Sequence, residues 1–104
     1  MLLLNAFSAN MLAAFPTKVA FEPISVEEAA SIAADGIDSA VGHADTAALF
    51  SSQLGVSVLV ERRTVSLAAG AVALVGQYRG PRLDEGATQL PEGAEIIWLR
   101  MTVS

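Results

Sequence analysis

The chain opens on Leu2-Leu3-Leu4-Asn5-Ala6, an apolar run ended by Phe7 and followed by the polar Ser8 and Asn10. A run of this kind, without alternation, predicts a strand buried on both faces. Ser8 stands where it can cap a short helix to Phe15, which Pro16 stops. Residues 17–21 alternate polar with apolar and predict a second, half-buried strand. Ser25-Val26-Glu27-Glu28 is a capping box, in which the side chains of Ser25 and Glu28 can each accept from the other's free backbone N–H. The alanine-rich stretch behind it predicts a helix to Asp35.

After Gly36, residues 37–41 are too short a run to assign. Gly42 then precedes His43, and residues 44–54 read as a helix closed by Gly55, which puts His43 at or beside a helix N-terminus. Three β-rich runs follow at 56–60, 64–67 and 72–78, the last two spaced as a hairpin around Ala69-Gly70. Residues 79–93 carry Gly80, Pro81, Gly86, Pro91 and Gly93 and read as loop, and an apolar strand over 96–103 closes the chain. Helices interleave with strands early and β-runs end the sequence. The expected class is α/β: one domain over residues 1–104 with a mixed β-sheet and helices packed against it.

Composition adds a partner to that picture. Of the 104 residues 53% are apolar and only 16% charged, against roughly 25% charged in an ordinary soluble domain. A small domain so short of surface charge is expected to hide apolar area against a second copy, as a homodimer. No apolar run approaches the roughly 18–20 residues that cross a bilayer. Asn5, Ser8 and Asn10 break the opening run too early for a secretory signal, so the expected location is cytoplasmic. With no cysteine and a single histidine, thiolate chemistry and a multi-histidine zinc centre are excluded within one chain. The net charge of −5, from six Lys/Arg against eleven Asp/Glu, disfavours duplex DNA as a partner. A small anion held by local donors is compatible with it.

Three groups of residues can carry chemistry. His43 has the one side chain whose ordinary titration range lies near neutrality, and the free N–H groups of the helix behind it suit a phosphate. A lone histidine is equally what a surface or capping residue looks like. Arg79-Gly80-Pro81-Arg82-Leu83-Asp84-Glu85-Gly86 gathers two guanidinium groups and two carboxylates on a Gly/Pro-shaped loop. Arginine's planar fork matches a phosphodiester, although exposed loops also collect charge with no ligand in view. Asn5, Ser8 and Asn10 bunch where the first strand ends, the end at which α/β sheets bind ligands, or they simply cap and turn the chain.

Taken in order, four segments resemble a known family: Asn5-Ala6-Phe7-Ser8-Ala9-Asn10-Met11-Leu12, Phe15-Pro16-Thr17-Lys18-Val19, Val41-Gly42-His43 leading to Thr46, and Gly76-Gln77-Tyr78-Arg79-Gly80-Pro81-Arg82-Leu83 with Glu85-Gly86. The family is that of the viral anti-CRISPR ring nucleases and their phage and bacterial homologues, and the likeness spans nearly the whole chain. It implies a small α/β homodimer that binds cyclic tetra-adenylate at the dimer interface and cuts it without a metal or other cofactor. By this resemblance His43 is the catalytic histidine, Arg82 the phosphate-binding arginine and Glu85 the carboxylate that assists the histidine. Asn5, Ser8, Asn10, Gly42 and Gln77 match positions expected to line the ligand, and residues 83–93 a lid over it. Asp84 departs from the proline often found there, and Glu61-Arg62 from a more usual Asn-Arg.

The chemistry agrees with the resemblance. An RNA phosphodiester carries its own nucleophile, the neighbouring 2′-hydroxyl, so one general acid and one cation suffice when sugar and phosphate are held in line. A two-fold protein axis can coincide with that of a cyclic tetranucleotide, so that two sites cut opposite phosphates. Two other classes remain open at this stage: a protein that sequesters a cyclic nucleotide uncut, and a dimeric interaction protein in which His43 is structural.

Overall fold

In the computed structural model, which describes residues 1–83 and 89–104, the elements follow as β1 (Leu2–Leu4), β2 (Val19–Ile24), α1 (Val26–Ala34), β3 (Asp38–Ser39), α2 (Ala44–Leu54), β4 (Val72–Arg79) and β5 (Glu95–Val103). The strands form one mixed sheet in the order β2-β5-β4-β1-β3. β1 lies parallel to both β3 and β4, with Leu3 opposite Ser39 and Leu74. β5 runs antiparallel between β4 and β2. This is the expected α/β class, a mixed sheet with helices packed against it.

Period-two alternation splits neighbouring residues between two cores. Leu3, Leu74 and Trp98 face the helices and pack with Ala29 and Ala33 of α1 and Ala47, Phe50 and Leu54 of α2. Their neighbours Leu4, Ala73, Val75 and Met101 face the other way and are covered by Phe7, Met11, Leu12, Val65 and Leu67 from irregular chain. One face therefore carries helices and the other a cover of loops. On the helix face Gly76 is required by close packing, because a Cβ there would come within 2.6 Å of both the Phe50 and the Trp98 ring. Those rings lie 4.8 Å apart between centroids, and Trp98 Nε1 donates to Gln53 Oε1 of α2 at 3.1 Å.

Both helices obey their local signals. Ser25 Oγ accepts from the Glu28 N–H at 3.1 Å. The other half of the capping box is absent, because the Glu28 carboxylate meets Arg100 of β5 at 3.4 Å instead. Gly55 closes α2 in the left-handed conformation at φ 71°. No helix among the described residues is long and apolar enough to cross a membrane.

Two expectations fail. The helix predicted to run to Phe15 is a 3₁₀ turn of Ala9–Met11. Leu12 turns extended and bridges Leu67, with Ala13 donating to the Leu67 carbonyl at 2.9 Å. Residues 56–60 and 64–67 form no strands, and there is no hairpin at Gly70. Both edges of β4 are already taken by β1 and β5, so nothing is left for a hairpin partner. The β-rich runs serve as cover: Val58 and Leu67 are buried, and backbone groups in the first run bond to side chains, with Ser39 Oγ donating to the Leu59 carbonyl and the Val58 N–H donating to Ser51 Oγ.

Candidate functional site

Since β1, β3 and β4 are parallel, the chain leaves all three at the same edge of the sheet. Asn5 follows β1, His43 follows β3, and the segment with Arg82 follows β4. The carboxyl edge of parallel strands is where α/β proteins place ligands. A cleft of about 380 Å³ opens here, lined by His43, Asp45 and Thr46 from the start of α2 and by Tyr78, Gly80, Pro81, Arg82 and Leu83 from the end of β4.

His43 is the N-cap residue of α2, in extended backbone at φ −127° and ψ 132°. Its carbonyl accepts from the Ala47 N–H at 3.0 Å, but its side chain makes no capping hydrogen bond. The imidazole is exposed, and among the described residues no side chain hydrogen-bonds to the N–H groups that begin the helix. A helix end in that condition attracts negative charge. Gly42, just before it, seats another cation. The Arg62 side chain lies over Gly42, at 3.7 Å from the place a Cβ would take, and its Nη2 donates to the Gly42 carbonyl at 3.4 Å.

Across the cleft, the turn after β4 is held by a phenol. Tyr78 Oη donates to the Pro81 carbonyl at 2.5 Å, one residue ahead of Arg82. Gly80 fits between because it lacks a side chain: a Cβ would lie 2.5 Å from Ala94 Cβ and 2.9 Å from Tyr78 Oη. Among the described residues, no ion pair involves a side chain of this cleft. The ion pairs among the described residues are Arg63–Asp38 and Arg100–Glu28. Nor do the described residues hold a group of three His, Asp or Glu able to bind a metal.

The sequence profile of the STIV B116-like family matches residues 1–97. The chain belongs to the STIV B116-like family. Among solved structures, B116 of Sulfolobus turreted icosahedral virus is similar to it at 25% sequence identity over 97% of each chain, with a TM-score of 0.81. No curated protein matches the chain in sequence.

In this STIV B116-like chain, His43 and Arg82 share one cleft, and Gly42 precedes His43 but is outside the lining. Asn5, Ser8, Asn10 and Gln77 lie outside that lining. Ser8 Oγ accepts from the Asn10 N–H at 3.3 Å as an ordinary turn cap. Gln77 alternates with Gly76 and Tyr78 onto the loop-covered side of β4, where its Nε2 donates to the Tyr78 carbonyl at 3.1 Å. Glu85, with Asp84 and the middle of the expected lid, lies outside the described residues. The lining residues to which sequence reasoning gave no role are Asp45, Thr46 and Tyr78. The first two stand in the first turn of α2, so their place followed from that of His43. The tyrosine's role depends on a turn whose shape the sequence did not disclose.

Proposed function

We propose that this STIV B116-like chain is a metal-independent ring nuclease, which cleaves cyclic tetra-adenylate to linear di-adenylate with a 2′,3′-cyclic phosphate and so shuts off type III CRISPR signalling. The observation that carries the reading is the uncapped N-terminus of α2, where His43 and Arg82 line one cleft. A phosphodiester seated on the helix N–H groups meets a guanidinium from the β4 side and an imidazole from the helix side. The 2′-oxygen attacks phosphorus, the P–O5′ bond breaks, and His43 as imidazolium gives its proton to the departing O5′. Arg82 and the helix amides stabilise the negative charge of the phosphorane.

The ligand is a ring of four phosphates, so the reading includes a homodimer that presents two such clefts about a two-fold axis. Apolar area is available for such a contact, with Phe15 68% exposed and Phe21, on the edge strand β2, 43%. The test is chromatography of cyclic tetra-adenylate incubated with sub-stoichiometric protein in EDTA, beside the His43→Ala variant. Conversion to 2′,3′-cyclic-phosphate dinucleotides by the wild type, and its loss in the variant, is the expected outcome. Binding without cleavage would replace the nuclease with a sequestering protein.

A further inference from the structure

One proton is unaccounted for in that reaction. The attacking 2′-hydroxyl must lose its hydrogen as the P–O2′ bond forms, and neither His43, which protonates O5′, nor Arg82 can receive it. We propose that Asp45 is the general base, an inference that rests on the ring-nuclease reading. Asp45 is the one carboxylate among the described residues lining the cleft. It is half-buried and has no ion-pair partner among the described residues.

Its place on the helix suits the task. His43 is the N-cap and Asp45 stands two residues on. His43 is in extended backbone, so its side chain leaves the chain before the helical spiral begins, whereas Asp45 projects from the first turn of α2. Both line the cleft at the N–H groups that begin α2, so a phosphate held there has an imidazole and a carboxylate in the same lining. In-line displacement asks for two separate groups, a base for the entering oxygen and an acid for the leaving one, and the cleft supplies both. An acidic residue in a first turn also suits the helix dipole. That alone does not direct it into the lining of a cleft shared with Arg82, where a carboxylate opposes a polyanion and weakens its binding.

The protons then balance. Asp45 takes the hydrogen of the 2′-hydroxyl, His43 gives one to O5′, and exchange with water restores both after the product leaves.

Asp45→Asn keeps size and hydrogen-bonding shape but cannot take the proton. Its kcat on cyclic tetra-adenylate in EDTA is expected to fall by about 10²-fold or more, with binding equal to or tighter than wild type because a negative charge is gone. Asp45→Ser, which also suits a first turn, must lose as much, and serves should the Asn variant fold poorly. A substrate with sulfur in place of the bridging 5′-oxygen separates base from acid, since a thiolate leaves without a proton. It is expected to rescue His43→Ala and not Asp45→Asn. Cleavage by the Asn variant at the wild-type rate or faster overturns the assignment, and so does rescue of that variant by the sulfur substrate. Intact substrate with the wild-type protein sinks the ring-nuclease reading itself, an outcome distinct from both.

Discussion

Two clefts of nearly equal size lie at opposite ends of the same parallel strands. The one at the carboxyl ends holds about 380 Å³ and the one at the amino ends about 400 Å³. The second is lined by Leu2, Asp38 and Val72, where β1, β3 and β4 begin, with Arg63, Thr64 and Ser66 among the loop residues beside them. It too has an arginine, but Arg63 Nη2 is 2.9 Å from Asp38 Oδ2 and its charge is met. α1 ends at Ala34, just before β3, and so turns a carbonyl end toward that side of the sheet. α2 begins just after β3 and turns its N–H end toward the other. Volume therefore does not distinguish the clefts. The sign of the helix end and an arginine left unmatched among the described residues do.

The largest predicted effect separates stability from activity at the carboxyl end. His43→Ser supplies the missing N-cap and is expected to stabilise α2 by about 1 kcal/mol, raising the thermal midpoint. The same change removes the general acid and lowers turnover by about 10²–10⁴-fold. A histidine that only began a helix would give the first result without the second.

Gly76→Ala comes next. Its Cβ would press on Phe50 of α2 and on Trp98, and overpacking of this kind costs about 1–3 kcal/mol. Denaturant melts should record that loss, and turnover should fall because α2 carries His43. Tyr78→Phe deletes the hydrogen bond to the Pro81 carbonyl, worth about 0.5–1.5 kcal/mol, and frees the turn that holds Arg82. A rise in KM of several-fold with kcat nearly kept is expected from steady-state kinetics. Smallest of all, Arg63→Ala breaks an ion pair whose side chains are 39% and 68% exposed. The expected loss is under about 1 kcal/mol, and turnover should not change. A drop in cleavage from that variant would erase the distinction between the two clefts.

The sequence exposed those parts of the molecule whose cause is local. α2 runs over Ala44–Leu54 and stops at Gly55, as the cap and glycine signals required, and Ser25 begins α1 through its own hydroxyl. Residues 64–67 have the composition of a strand and are none. What decides their fate is the occupancy of the β4 edges, a property of the whole sheet that no window of sequence contains. The site divides in the same way. His43 is legible because a helix start is a local event, and Arg82 because a Gly/Pro turn is. Their meeting in one cleft depends on β1, β3 and β4 being parallel. The grouping of Asn5, Ser8, Asn10 and Gln77 with them came from resemblance, and within one chain those residues stand apart from the cleft.

The central claim, that the carboxyl-end cleft is where cyclic tetra-adenylate binds, is tested most directly by amide NMR of the protein titrated with the 2′-deoxy ring, which has no nucleophile and cannot be cut. The account predicts saturable shifts at Ala44, Asp45 and Thr46 and at Tyr78, Arg82 and Leu83, with Asp38, Arg63 and Thr64 unmoved. Shifts concentrated on Asp38, Arg63 and Thr64, or none at millimolar ligand, would contradict it.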